Sequence, residues 1–310
     1  MSWNVYAAIN IAGITEIPDG YTTGKHSIMN CKFESVAIGI ETFGLVDGEL
    51  KIGGKYFAGN TFKGGSYGIR MWNTVNSKIV ISHNYIESLN RAGLYVTQAF
   101  IPDFWLTSWP IMSSQWVITH NSVHTFFGAD GIILYDWYAD VEEEYTWEPS
   151  IEAVISHNRV ILDNEEWGGM VIIGVDDAYI INNVIRGVGD YGLDLWVCNN
   201  LKVFGNRIQI DARGTIGNDW GLFYGMSLWF GFNNVISFNR ITHKEADGLF
   251  VLGSNENLIL GNLINHNGGY GLYMEASNDN CITANIFYDN LLGNIFDDST
   301  TNHYHWNWEH

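Results

Sequence analysis

The chain has 310 residues, 34 of them Gly and 4 Pro, with 46% apolar, 15% aromatic and 16% charged side chains and a formal charge of −19. The apolar fraction excludes global disorder. No run approaches the roughly 18 apolar residues of a membrane-spanning helix, and the acidity argues against nucleic acid as a partner, which needs a basic face.

Residues 1–24 read as an N-terminal segment or partial cap. Met1 is followed by SWNVYAAINIAG, which has neither a basic n-region nor a clean apolar h-region, so it is no signal peptide. The expected setting is extracellular, periplasmic or cell-surface, with any leader removed. Cys31, Cys198 and Cys281 form no CxxC and no close pair, so neither a disulfide framework nor a zinc knot is indicated.

Residues 25–298 carry an internal repeat. It is anchored on Asn60, Asn84, Asn121, Asn158, Asn183, Asn206, Asn239, Asn262 and Asn285, with Cys31 in the first copy. A large apolar residue stands three places before each anchor, as in Ile81, Ile118, Ile155 and Ile180. Another stands two places after it, as in Ile86, Val123, Val160 and Ile185. A Gly follows some eight to eleven residues on: Gly39, Gly68, Gly93, Gly131, Gly169, Gly192, Gly248 and Gly271, with Gly225 late. Positions +1 and +3 after these Gly residues are nearly always apolar, a period of two that marks strands with one face buried. The shortest spacing, 23 residues from Asn239 to Asn262, holds three short strands and three turns, and no 3.6-residue period intrudes.

The predicted fold is all-β: a single-stranded, right-handed parallel β-helix of about ten coils, rising roughly 4.8 Å per coil. Apolar ladders fill the inside and an Asn ladder satisfies turn backbone at one corner. The Gly column is expected where corners need unusual dihedrals. The repeat resembles the pectin-lyase-like right-handed β-helix superfamily, and within it the Asn-rich NosD-like or CASH-type carbohydrate-binding repeat proteins, from about Ile28 to Phe296. That superfamily includes polysaccharide lyases, glycoside hydrolases, sugar epimerases, phage tailspikes and non-catalytic surface proteins.

Insertions interrupt the coils at 97–114, 135–150 and 209–224, and in a solenoid such loops gather on one face. The first two leave the same corner of neighbouring coils and are rich in aromatics and acids, among them Trp105, Trp109 and Trp137. Positions +2 and +4 after each Gly are expected to point outward, which exposes Arg70, Trp72, Tyr95, Tyr135, Trp196 and Trp229. Aromatic faces beside carboxylates suit pyranose rings. Loops folded back over the strand, or a homo-oligomer interface, would bury the same columns.

Hydrolysis of a glycosidic bond needs two carboxyl groups flanking it. The candidates are Asp136, Asp176, Asp177 and Asp194, and groups two coils apart fit an inverting geometry best. The Asp176–Asp177 pair is similar to a polygalacturonase pattern. That family's NTD, GHG and RIK elements are absent, so its roles are not carried over, and an Asp-Asp pair at a turn also serves structure or calcium. His83, His120 and His157 fall in one column, a poor tetrahedral metal site. The segment 299–310 reads as a tail whose His303, His305 and His310 would fit copper in a NosD-like role.

The leading expectation is therefore a carbohydrate-active protein, a glycoside hydrolase or related polysaccharide-cleaving enzyme. It would bind a mostly neutral oligosaccharide or polysaccharide along the Gly-strand face, with Asp acid/base catalysis and no cofactor. The alternatives are a calcium-assisted polysaccharide lyase, a non-catalytic carbohydrate-binding or surface β-helix, and a NosD-like metal-delivery factor.

Overall fold

The computed structural model describes residues 7–12, 22–55, 57–75, 77–88, 90–98, 114–126, 128–136, 151–163, 167–211 and 223–310. The insertions at 97–114, 135–150 and 209–224 lie largely outside these residues. Every described strand pairing is parallel, and the chain forms a right-handed parallel β-helix. Each coil supplies three strands: one just after the anchor Asn, one at the Gly, and one leading to the next Asn.

Among the described residues, the Asn strands form an 11-stranded sheet, from Lys32–Glu34 to Trp308–Glu309. The other two ladders join into a 21-stranded sheet because the long strand Ile38–Gly53 belongs to both. Ala7–Ala12 already pairs with Ile38–Gly53 as a rung of the Gly ladder. Within residues 299–310, His303–His305 and Trp308–Glu309 continue two ladders. No helix of the described residues is long and apolar enough to cross a membrane.

The period-two pattern produces the core directly. Ile81, Ile118, Ile155, Ile180, Val203, Ile236, Ile259 and Ile282 stack in register, and each is 0% exposed. Ile86, Val123, Val160, Ile185, Ile208, Ile241, Ile264 and Phe287 form a second fully buried ladder. Burying each such side chain contributes about 1.5–3 kcal/mol.

The anchor Asn residues run as a continuous buried chain from Asn60 to Asn307. Asn183 shows the pattern. Its Oδ1 accepts the backbone N–H and the Nδ2 of Asn158, while its own Nδ2 donates to Ile155 O and to Asn206 Oδ1. These bonds hold an unfavourable backbone just ahead of them. His83, His120, His157, Asn182, Phe238 and Ala284 all have φ between 53° and 58°. Such a conformation costs non-Gly residues about 1–3 kcal/mol and persists where the surroundings over-determine it. A second Asn ladder, Asn234, Asn257, Asn280 and Asn302, repeats the device at another corner and escaped the sequence reading.

The Gly column has a different cause from the expected one. Gly131, Gly169, Gly192 and Gly248 are absent from the positive-φ residues. What excludes a side chain is space. A Cβ on Gly131 would sit 2.3 Å from Val160 Cγ1 and 2.4 Å from Gly169 O. The Gly strand here turns so that Gly and the residue after it both face the core.

Candidate functional site on the Gly-strand face

That local bend decides what lies on the outer face. With positions 0 and +1 both turned inward, position −1 joins +2 and +4 outside, as Tyr191, Asp194 and Trp196 show on one strand. The −1 column reads Tyr67, Ala92, Asp130, Gly168, Tyr191, Tyr224, Asp247 and Tyr270.

Two carboxyl groups stand out on this face. Asp130 is 4% exposed. Its Oδ1 accepts the Gly168 N–H at 2.9 Å and the Tyr191 hydroxyl at 2.8 Å. Burial pushes its carboxyl up to about 7 despite those two bonds, and the nearby Asp194 and Asp190 push the same way. Asp194, half-buried by its exposure, accepts the Ser227 hydroxyl and, at 2.6 Å, Trp196 Nε1. Burial holds it up at about 6. Their strands are separated by Gly168–Ile173, and Asp130 shares its column with Tyr191, three residues before Asp194. Tyr191 sits between them, its phenol pushed up by burial and by Asp130. Asp190 accepts the Trp167 N–H. Asp247 accepts the Tyr270 N–H and is raised by burial. Behind the wall, His243 approaches Asp190 O at 3.2 Å, and burial lowers its imidazole to about 4.

The acids singled out from sequence do not converge. Asp194 sits at the centre of the face. Asp136 ends its strand, 2% exposed. Asp176 lies five residues along from Val171, the position paired with Asp194, and its carboxylate accepts the Asn199 backbone N–H and Nδ2. Asp177 is exposed at the same turn with φ 52°. Asp176 thus does what turn acids do, tying one coil to the next. Asp130 and Asp190, which do gather with Asp194, stand at or before position −1, a column the sequence reading did not open.

The aromatic columns are also used differently. Stacking along the helix axis consumes ring faces. Trp196 and Trp229 lie face to face at 4.7 Å and 17°, and Trp229 is 7% exposed. Tyr224, Phe250, Tyr273 and Phe296 continue as a second stack. Rings so arranged offer edges to a ligand rather than the open faces expected of a sugar platform. Trp72 leans on Tyr95 at 5.2 Å, and the Arg70 guanidinium lies over Tyr67 and Trp72 while pairing with Glu41. Tyr135 is half-buried on the same face. Trp105, Trp109 and Trp137 lie outside the described residues.

His83, His120 and His157 stack as expected, with centroids 4.8 and 4.9 Å apart and planes within 6°. Parallel stacked rings cannot aim their nitrogens at one tetrahedral ion. Among the described residues, no three His, Cys, Asp or Glu side chains come together as a metal site.

Comparison with known proteins bears on the fold. The chain is similar to a mutant of the periplasmic alginate epimerase AlgG, with TM-score 0.56 and 14% identity over 89% of this chain and 70% of that one. It is also similar to the GH136 lacto-N-biosidase of Eubacterium ramulus, with TM-score 0.50 and 13% identity over 89% of this chain but only 51% of that one. At these identities the likeness is one of fold. A search of curated protein sequences gives no match. The model of one family, described as periplasmic copper-binding protein (NosD), matches residues 152–310, a stretch that contains the whole of the second Asn ladder. That match covers more than half of the chain, which therefore belongs to the NosD family.

Proposed function

We propose that the chain is an extracytoplasmic glycan-binding β-helix that cleaves its ligand by acid–base chemistry on the Gly-strand face. The observation that carries this reading is the Asp130–Asp194 pair: two carboxyls on one outer face, two coils apart and near enough for Asp194 to push the Asp130 carboxyl up, with protons held at about 7 and about 6. Inverting glycosidases place acid and base about 6.5–9.5 Å apart to admit a water. Asp130, the more strongly protonated group, donates to the leaving oxygen. Asp194, ionised above about pH 6, accepts the proton of the attacking water. The Tyr191 hydroxyl reaches Asp130 across the intervening coil, and the Ser227 hydroxyl holds Asp194 from the far side.

The test is a glycan array on the full chain, followed by product analysis of the hits by NMR. Asp194→Asn and Asp130→Asn are expected to bind the same glycans and lose turnover by about a hundredfold or more. Binding with no turnover by the wild type leaves a carbohydrate-binding module and removes the catalytic half of the reading.

A second reading follows from the family description, which prints copper binding. The matched stretch ends in His303, His305 and His310, all exposed on the last coil. Copper titration of the full chain against a variant with these three changed to Gln decides it: a site there is lost in the variant.

A further inference from the structure

We infer that the Gly-strand face is charge-polarised and that a pocket at its N-terminal coils receives an anionic substituent of the glycan, a ring carboxylate or a sulfate ester. The inference rests on the glycan reading above and narrows its ligand class. Bulk charge conceals the feature. Between Lys25 and Arg91 the chain has eight Lys and Arg residues against five Asp and Glu, a local +3 within a chain of −19. Along the face, Arg70 and Arg91 belong to these early coils, whereas Asp130, Asp190, Asp194 and Asp247 occupy the later ones.

The pocket, of about 330 Å³, is lined by Ala37, Ile38, Ser66, Tyr67, Arg70 and Arg91. It lies on the −1 and −2 side of the Gly strand, one rung from Asp130, whose N–H donates to Arg91 O. The charges of the two arginines are handled differently. Arg70 is held by Glu41, through Nε at 3.0 Å and through Nη2, and is sandwiched by Tyr67 and Trp72. It is a fixed, largely neutralised wall. Arg91 is exposed and forms no ion pair among the described residues. Its guanidinium is therefore the charge available to a ligand, with the Ser66 and Tyr67 hydroxyls beside it. A planar fork of N–H donors suits a carboxylate or sulfate in two-point contact.

The −19 field works in the same direction as the pocket. It repels anions elsewhere on the surface, so an acidic glycan has this station for its charge. A ligand with its acidic ring at Arg91 lays its following rings over Asp130 and Asp194, where further anions would be repelled. The face thus selects direction as well as composition.

The test uses the full chain in titration calorimetry with three probes: neutral galactan oligosaccharides bearing one terminal uronate, the same oligosaccharides with that uronate methyl-esterified, and the same bearing one terminal sulfate ester instead. The wild type is expected to bind one anionic probe about tenfold or more tighter than the neutral ester, with a preference that falls as salt rises. Arg91→Gln is expected to erase that preference while leaving ester binding within about twofold, and Arg91→Lys to restore part of it. Preference for the uronate or for the sulfate identifies the source of the anion, and either supports the inference. Equal binding of acid and ester, or a preference that survives Arg91→Gln, overturns it and leaves the glycan reading standing. Binding of none of the probes, with an empty glycan array, overturns both.

Discussion

Asp130→Asn tests the electrostatics of the site in a way that does not depend on its substrate. Asn keeps an acceptor oxygen for the Gly168 N–H and the Tyr191 hydroxyl and removes the ionisation. In the native fold Asp130 holds its proton up to about 7, against 3.8 for an ordinary aspartate. A carboxyl raised in the folded state binds its proton more tightly there than when unfolded. The fold is then penalised as pH rises from about 4 towards about 7, and the penalty is full above that. The penalty amounts to about 4 kcal/mol at pH 8. The wild type alone does not isolate it, because His243, lowered to about 4 by burial, loses stability as pH falls through 6.5 and so opposes it. The difference between variant and wild type cancels His243. Urea unfolding at pH 4, 5, 6, 7 and 8 is expected to show Asp130→Asn near the wild type at pH 4 and progressively more stable up to pH 8. A difference that stays flat with pH, or a variant that is less stable at pH 8, would refute the assignment of Asp130 as a buried carboxyl that holds its proton.

Three other outcomes check the scaffold and the chemistry. Asn183→Ala deletes four hydrogen bonds and orphans the Asn158 N–H and Ile155 O inside the coil; at about 1–3 kcal/mol per orphaned group, denaturant unfolding should show a loss of about 2–6 kcal/mol. Gly131→Ala forces a methyl against Val160 Cγ1 and Gly169 O, and a loss of about 1–3 kcal/mol is expected, whereas a dihedral cause would have left room for Ala. On any glycan that is turned over, the rate should peak between about pH 6 and about pH 7, falling below as Asp194 protonates and above as Asp130 ionises. A rate still rising at pH 9 would remove Asp130 as the acid.

The fold was legible because a stacked repeat writes each physical requirement once per coil. The Ile and Val columns, the Asn anchors and the period of two after each Gly all recur, and each became a ladder. The role of the Gly column was misread because sequence cannot separate a dihedral requirement from a steric one. Both ask for Gly, and only the position of Val160 beneath Gly131 distinguishes them. The second Asn ladder was visible in principle, since Asn234, Asn257 and Asn280 recur every 23 residues. It begins only after Leu201, where the earlier coil has an apolar residue that uses Asn234 Oδ1 through its backbone alone.

The same misreading moved the candidate site. If the Gly strand were a plain strand, position −1 would share the inward face of +1, and Asp130 would point into an apolar core. Alternation therefore directed attention to +2 and +4, where Asp194 was found and Asp130 was not. The steric demand that places Gly at position 0 also turns two consecutive positions inward, and so brings position −1 to the outer face. The Gly column is in this sense part of the site. Its missing side chains let the strand bend, and the bend sets the Asp130 carboxyl against the Tyr191 hydroxyl two coils away. Gly169, on the rung between them, carries the strictest expectation. Its Cβ would lie 2.2 Å from Ile185 Cγ2 and 2.4 Å from Gly192 O. Gly169→Ala should therefore cost stability as Gly131→Ala does and also shift the pH profile of any activity, because the strand that sets the Asp130–Asp194 spacing must move. A variant that is destabilised with an unchanged profile would show that the bend supports the fold without tuning the carboxyl pair.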